Sequence, residues 1–310
     1  EDKTCVGELV QLQGTVVQGN TAGGSHEWIA PIQPLWLDDI SSTTIPNPTF
    51  QSNTYGFARF QYVFVDANGC SDTSNTVTIQ VQPKPTVTIN PIDPQCVSSQ
   101  GVNLTANAVV PTVPSATFTY EWTGAVVSDL ESPLLSRVNP GTKTVQLVVT
   151  ADNGCVSEPA TLDVVVNPNP IAEIINPTPI AVCELSDLEL RANTAQPNVV
   201  FTWEGTAQTY LTPNTGDVVV FNAPAVTPQT VYNVVLHAEN TLTGCTGQTD
   251  EDITVYLSPD VELAQDIELC IGWDTILNPT INFAVEPYQI RWMLDTTELS
   301  NTSTLNPRFT

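Results

Sequence analysis

The sequence has little positive charge and no long apolar run. It contains 8 Lys and Arg against 33 Asp and Glu in 310 residues, which gives a net charge of −25. A surface this negative repels phosphate backbones and anionic headgroups, so we expect no nucleic-acid partner. Because no stretch of 18 or more apolar residues occurs, we also expect no membrane insertion.

Residues that build catalytic and metal sites are scarce as well. The only histidines are His26 and His237, and no CxxC pair is present, so a zinc ligand set is missing. Ser25, His26 and Glu27 are adjacent, and adjacent strand residues point to opposite faces, which does not make a catalytic triad. GxSxG, HExxH, phosphate-loop and EF-hand patterns are all missing. We therefore expect no enzyme, no cofactor and no metal.

What the sequence does contain is a repeat marked by cysteine and tryptophan. One cysteine series has steps of 91, 87 and 87 residues, and it consists of Cys5, Cys96, Cys183 and Cys270. A tryptophan follows each of these after 23, 26, 20 and 22 residues, at Trp28, Trp122, Trp203 and Trp292. The other series follows glycine each time, at Cys70, Cys155 and Cys245. The repeating unit is thus about 87 residues long, in the order Cys, Trp, Gly-Cys.

Short β-branched and aromatic runs fill the space between these landmarks. Examples are FQYVFV at 60–65, TVQLVVT at 144–150 and VYNVVLH at 231–237. Pro, Gly and Asn bound such runs, and helical periodicity is nowhere sustained over 11 residues. The pattern predicts an all-β chain with one two-sheet antiparallel sandwich in each repeat.

Proline-rich joins place the domain boundaries. The joins VQPKPTVTI, VNPNPIAEI and YLSPDVEL predict repeats at 1–85, 86–169, 170–258 and 259–310, the last truncated. Because proline fixes φ, we expect a semi-rigid string of domains. The first repeat carries an insertion at about 20–45, which we expect to form an exposed loop.

The cysteines are expected to form disulfides, although six of them alone allow fifteen connectivities. Pairing within units closes loops of comparable size, as Cys5–Cys70, Cys96–Cys155 and Cys183–Cys245, and leaves Cys270 for a cysteine beyond these residues. Each bridge stabilises by about 3–4 kcal/mol. Disulfides at this density indicate an oxidising, extracellular compartment. The alternative is a cytosolic repeat protein with buried, reduced cysteines.

These residues resemble a known family. A cysteine that opens a strand, the motif YEW on the next strand, and YVFVDANGC followed by SDTSNTVTIQV are similar to Ig-like and PKD-like repeats of large surface adhesins. Such adhesins occur in bacteria with type IX secretion and include gliding-motility adhesins. The resemblance covers all four units. It implies that the cysteine pair staples each single domain and that Trp28, Trp122, Trp203 and Trp292 lie in the cores, with Trp36 competing for the first position.

The resemblance also implies a function and a location. It favours a non-catalytic stalk of a cell-surface adhesin or filament that serves attachment or motility. Its expected partners are the type IX secretion and outer-membrane attachment machinery, and a surface polysaccharide or other ligand bound through other regions. The runner-up is an accessory Ig-like or carbohydrate-binding region of a secreted multidomain enzyme. A third hypothesis is a binding module in which Trp36 is exposed, and burial of Trp36 argues against it.

Two weaker signals concern modification and calcium. Thr275 and Thr296 stand in Asp-Thr-x sequences that resemble the O-glycosylation motif of such bacteria. The acidic pairs Asp38–Asp39 and Glu251–Asp252 offer the oxygen ligands that Ca²⁺ takes, although solvated loop charge is the simpler interpretation.

Overall fold

The computed structural model describes residues 2–193, 197–263, 266–284, 286–293 and 297–309. These residues form 27 strands and two short 3₁₀ helices, Pro34–Asp39 and Gln208–Tyr210, so the chain is all-β as predicted. Within them, neither helix has the length and apolarity needed to cross a membrane. The chain divides into two compact units, Glu1–Pro168 and Asn169–Thr310.

The first unit contains two β-sandwiches. Its strands in chain order are β1 (Asp2–Cys5), β2 (Val10–Gln11), β3 (Ser25–Ile29), β4 (Thr49–Phe50), β5 (Gly56–Val65), β6 (Ser71–Thr73), β7 (Val77–Gln82), β8 (Thr86–Ile89), β9 (Gln95–Cys96), β10 (Val102–Asn103), β11 (Ala106–Val109), β12 (Phe118–Gly124), β13 (Leu134–Leu135), β14 (Gly141–Ala151) and β15 (Ala160–Asn167).

The second unit contains a third sandwich and a shorter C-terminal segment. Its strands in chain order are β16 (Glu173–Ile174), β17 (Ile180–Cys183), β18 (Asp187–Asn193), β19 (Val199–Glu204), β20 (Leu211–Thr212), β21 (Val218–Asn222), β22 (Thr230–Asn240), β23 (Thr246–Tyr256), β24 (Asp260–Glu262), β25 (Thr275–Ile276), β26 (Thr280–Asn282) and β27 (Arg308–Phe309).

One sheet has the same order in all three sandwiches. It runs β1-β7-β5-β3 in the first, β9-β15-β14-β12 in the second and β17-β23-β22-β19 in the third. In each case the edge strand that ends in cysteine pairs in parallel with the last strand of the sandwich, whereas the other neighbours are antiparallel. The opposing strands are antiparallel too, as in the second sheet of the third sandwich, β16-β18-β21-β20.

Alternating burial along the strands explains why these segments form sandwiches. Along β14, the side chains of Val145, Leu147, Val149 and Ala151 are buried and the intervening ones are not. Three separate apolar cores result, drawn from residues 6–81, 87–164 and 172–257. These cores lie inside the first three predicted repeats, while the exact boundaries stay a prediction.

The insertion at 20–45 is not a simple exposed loop. It contains β3 and the first 3₁₀ helix, and it buries Trp28, Ala30, Trp36 and Ile40 in the first core. The ring of Trp36 packs edge-on against Phe50 at 6.1 Å. The expectation of a solvent-exposed insertion was therefore wrong, because its aromatic and aliphatic residues are part of the core they help to fill.

The C-terminal segment is built differently from the three sandwiches. In its described part, the strands form two antiparallel pairs, β24 with β26 and β25 with β27. A pair of two-stranded ribbons covers its apolar side chains less well than two facing sheets do. Trp292 is accordingly half-buried and lines a cavity of about 520 Å³, so its predicted place in a closed core is not observed.

Candidate functional site: the cysteine-bearing ends of the sandwiches

Each sandwich carries its second cysteine at the end of a hairpin turn. These Gly-Cys turns span Asp66–Cys70, Ala151–Cys155 and Asn240–Cys245. The first residue of each turn donates its backbone N–H to the cysteine carbonyl, at 2.9, 3.0 and 2.9 Å respectively. In each of these three turns, the residue before the cysteine is a glycine with positive φ, as the sequence suggests for a turn between strands.

The carboxylate of Asp66 holds the first Gly-Cys turn together. Its Oδ1 accepts the backbone N–H groups of Cys70 at 2.9 Å and Asn68 at 2.8 Å. These hydrogen bonds, that from Cys70 foremost, lower the pKa of Asp66 because they favour its charged form. The exposed thiol of Cys70 is thus carried on an ordered turn.

The first cysteine of each sandwich lies on the edge strand, and we call Cys5, Cys96 and Cys183 the edge cysteines. They stand opposite Gln82, Asn167 and Tyr256, the last residues of the last strands. The backbone N–H after each edge cysteine donates to the carbonyl of that last residue, at 2.9, 3.0 and 2.9 Å. Since the pairing is parallel, the edge cysteine lies where the last strand ends.

The two cysteines of one sandwich therefore lie at opposite ends. In the third sandwich, Cys245 immediately precedes β23 and Cys183 is level with its last residue, Tyr256. The 11 residues of β23 span about 35 Å at a rise of about 3.3 Å per residue. A disulfide requires Cα atoms within about 7 Å, so these two cysteines cannot bond in the folded sandwich.

The observed disulfide connects two successive sandwiches instead. Cys5 is bonded to Cys155, with 5.7 Å between the Cα atoms and 150 residues between them in sequence. Cys96 and Cys245 are disulfide-bonded as well, whereas Cys70, Cys183 and Cys270 are exposed free thiols.

The predicted pairing within units, Cys5–Cys70, Cys96–Cys155 and Cys183–Cys245, is therefore wrong. The spacing of the cysteines revealed the repeat, but it did not reveal that each sandwich holds its two cysteines at opposite ends. The predicted partner of Cys270 stays untested.

Polar contacts accompany the Cys5–Cys155 bond at the join between the two sandwiches. The side-chain amide of Asn153, in the second Gly-Cys turn, donates to the carbonyl of Pro83 at 3.0 Å. The ammonium of Lys84 lies 3.5 Å from the carboxylate of Glu158. A disulfide that closes a loop of 150 residues stabilises the folded state by about 5 kcal/mol, because it lowers the conformational entropy of the unfolded chain. The disulfide and these contacts together form a clamp across residues 83–85.

All four predicted tryptophans make the same two hydrogen bonds. Each indole Nε1–H donates to a carbonyl further along the chain, at 2.9 or 3.0 Å, from Trp28, Trp122, Trp203 and Trp292. Each backbone N–H donates to another such carbonyl, at 2.7 to 2.9 Å. The first three indoles are buried. Trp28, not Trp36, makes the repeated bonds in the first sandwich, which resolves the choice between them.

The remaining predicted residues are not brought together into a site. His26 contacts the hydroxyl of Tyr62, while the neighbouring Ser25 and Glu27 are exposed. Thr275 is half-buried on β25, and Thr296 lies outside the described residues. Across the described part of the chain, no group of three His, Cys, Asp or Glu residues is placed to hold a metal, and this includes the pairs Asp38–Asp39 and Glu251–Asp252.

Comparison with known proteins gives likenesses of structure only. No protein-family model matches the chain, and neither does any curated protein sequence. Among solved structures, the eight N-terminal Ig domains of Down syndrome cell adhesion molecule are similar over 99% of this chain, with 12% identity and a TM-score of 0.35. The chain spans 42% of that structure.

Two further solved structures are similar over most of their own length. The titin fragment I67–I69 aligns with 83% of this chain and 95% of its own, at 13% identity and a TM-score of 0.41. Three domains of the outer capsid protein Hoc from bacteriophage RB49 align with 82% of this chain and 95% of their own, at 11% identity and a TM-score of 0.38. The chain contains three tandem Ig-like β-sandwiches. The three sandwiches share one sheet order, in which the edge strand that ends in cysteine pairs with the last strand.

Proposed function

We propose that this chain is a load-bearing stalk segment of a large cell-surface adhesin or filament. The observation that carries the proposal is the Cys5–Cys155 bond, which ties successive sandwiches to each other instead of closing each one on itself. A bond across a join preserves the connection between domains when the join is stretched. A binding or catalytic domain has no such need, because its function depends on a site within one fold.

The surface chemistry supports the same role outside the cell. Disulfides persist in oxidising compartments, and the net charge of −25 favours a well-hydrated surface. Secretion by the type IX pathway and attachment to the outer membrane extend the proposal, on the strength of the resemblance to surface adhesins. Ligand binding then belongs to other regions of the protein.

The burial of Trp36 argues against a carbohydrate-binding module in the insertion. Its side chain is 7% exposed, and its indole N–H donates to Oε1 of Gln33 at 2.7 Å. Aromatic platforms for sugar rings need an open face, which a ring packed in the first core does not provide.

Immunoelectron microscopy of cells that make the protein tests the proposal. Antibody raised against residues 86–258 is expected to label thin filaments that project from the cell surface. Label confined to a compact protein in the medium would overturn the stalk and would direct attention to a secreted enzyme with this chain as an accessory region. Cells that lack the protein provide the matched control for antibody specificity.

A further inference from the structure

Cys183 occupies the same position in the third sandwich as Cys5 does in the first. Both residues end the edge strand, and both are paired with the last residue of the last strand, Tyr256 and Gln82 respectively. The following backbone N–H makes the same hydrogen bond in both sandwiches, at 2.9 Å. Cys5 is bonded to a Gly-Cys turn, whereas Cys183 is an exposed free thiol.

The surroundings of Cys183 are open where those of Cys5 are filled. Next to Cys5, the carbonyl of Pro83, the residue after Gln82, accepts a hydrogen bond from the turn residue Asn153. The corresponding residue after Tyr256 is Leu257. Leu257 and Cys183 line a cavity of about 380 Å³, whose other walls are Gln229, Tyr256, Pro259 and Phe283.

We propose that Cys183 and this cavity form a docking site for a Gly-Cys turn of another sandwich of the same type. The turn places its cysteine on Cys183 as a disulfide, and its asparagine amide on the carbonyl of Leu257. In this arrangement, the edge cysteine of one sandwich forms a disulfide with the turn cysteine of the next sandwich, as Cys5 does with Cys155. The proposal deepens the stalk function, since repeated clamps join the domains along a filament.

The first sandwich presents a turn that fits this description. Asn68 and Cys70 in the first Gly-Cys turn correspond to Asn153 and Cys155 in the second, with one glycine between asparagine and cysteine in each. Cys70 is exposed and free, so it is the complementary half of the same connection. Two copies of this chain therefore carry both halves.

Bond formation proceeds by thiol–disulfide exchange with a small disulfide such as oxidised glutathione. The thiolate of Cys183 attacks the oxidant, forms a mixed disulfide and releases one glutathione thiolate. The turn cysteine thiolate then attacks the Cys183 sulfur and releases the second. Two protein thiols are oxidised, one glutathione disulfide is reduced to two thiols, and the two protons pass from the cysteines to glutathione.

Pairing between two variants of the full chain tests the proposal. The turn copy carries Cys183→Ser and Cys270→Ser and keeps Cys70, and the edge copy carries Cys70→Ser and Cys270→Ser and keeps Cys183. The copies, one labelled with heavy isotopes, are mixed in glutathione redox buffer. Non-reducing electrophoresis and mass spectrometry of linked peptides then measure the amounts of the mixed Cys70–Cys183 dimer and of the two homodimers.

The expected result is a Cys70–Cys183 dimer that exceeds each homodimer by at least about tenfold, which is about fivefold more than chance pairing gives. Random collision of exposed thiols gives only a twofold excess, and that result would overturn the proposal. So would equal reaction of the edge copy with a third copy that keeps only Cys270, an exposed thiol outside any Gly-Cys turn.

A second variant separates docking from simple thiol reactivity. Asn68→Ala in the turn copy removes the amide expected to bond Leu257, and we expect about a fivefold lower yield of the mixed dimer, the value of one hydrogen bond. Asn75→Ala, at an exposed position beyond the turn, is the matched control. An unchanged yield with Asn68→Ala would contradict the proposed geometry. Because the assay reports linkage alone, its outcome is independent of where microscopy locates the protein.

Discussion

Single residues explain why Trp-x-Gly recurs in the second and third sandwiches. Gly124 and Gly205 each follow the core tryptophan by two positions and have φ values of +88° and +91°. A Cβ at Gly205 would lie 2.5 Å from the carbonyl oxygen of Asn233 on the neighbouring strand, and a Cβ at Gly124 would lie 2.5 Å from that of Thr144. The motif is therefore a requirement of close strand approach next to the buried indole.

Substituting Gly205 is expected to destabilise the third sandwich more than substituting a turn glycine. Gly205→Ala combines a left-handed backbone cost of about 1–2 kcal/mol with a steric cost of about 1–3 kcal/mol. Gly244→Ala, with φ of +67° and no atom within 4 Å of the added Cβ, has the backbone cost alone. Hydrogen exchange of peptides from β19 and β22 measures both losses. Equal losses would show that the close approach has no energetic weight.

Residue roles were predictable where they follow from the apolar character of the side chain. Burial of Trp122 and Trp203 was predicted correctly, since a large aromatic residue in a strand pattern favours a core. Trp292 has the same sequence context and the same hydrogen bonds, yet it is half-buried. Its exposure depends on how many strands surround it, which no local motif encodes.

The strands themselves show a second limit of prediction. Runs such as 144–150 and 231–237 form strands as their composition indicates. The parallel pairing of β1, β9 and β17 with the last strands was not predicted, because these edge strands have two to four residues and too little pattern to reveal a partner. That pairing decides where the edge cysteines lie, so the missed topology caused the wrong disulfides.

One carboxylate fixes the end of the third sandwich. Glu184 follows the edge cysteine Cys183, and its side chain accepts the backbone N–H groups of Val226 and Ser258, both at 3.0 Å. The hydrogen bonds from Val226 and then Ser258 lower the pKa of Glu184 below its ordinary value of 4.5. Glu184 thereby ties a loop and the segment just after the last strand to the edge strand.

Glu184→Gln is expected to lower the melting temperature at neutral pH and to matter less in acid. Because the folded pKa is lowered, the stabilisation is complete well above pH 4.5 and is lost as the pH falls through the folded pKa. Circular dichroism melts from neutral to acidic pH should show the variant and the wild type converging below pH 4.5. The exposed Glu239→Gln on β22 serves as control, and a difference independent of pH would contradict the assignment.

On the scale of the whole molecule, the clamp decides how much chain is available to stretch. The Cys5–Cys155 bond bypasses the 150-residue interval between its ends. At about 3.3–3.6 Å per extended residue, that interval corresponds to roughly 500 Å of chain. Apart from the start of β1, the first sandwich lies within this interval and is protected from full extension while the bond is intact.

Single-molecule pulling measures this protection directly. Unfolding the chain between tags at its two ends is expected to release a greater length for Cys5→Ser than for the wild type, because the interval is no longer bypassed. The gain stays below the full roughly 500 Å, because Cys96 lies inside the interval and is itself disulfide-bonded. Cys70→Ser, which removes a free thiol, should leave the released length unchanged. The same length in Cys5→Ser and wild type would show that the bond carries no load.

The distance between Cys5 and Cys155 also sets an order of events during biosynthesis. At about 5–20 residues per second, Cys155 emerges roughly 8–30 s after Cys5, and Cys70 and Cys96 become available earlier. Oxidation in that interval favours the nearer, incorrect partners. Completion of the sheet that contains β1 and β7 prevents a bond between Cys5 and Cys70, because it places them at opposite ends of the sandwich. Correct assembly of this protein therefore requires each sandwich to fold before its sulfur chemistry begins, and slow oxidation after folding is the route to native material.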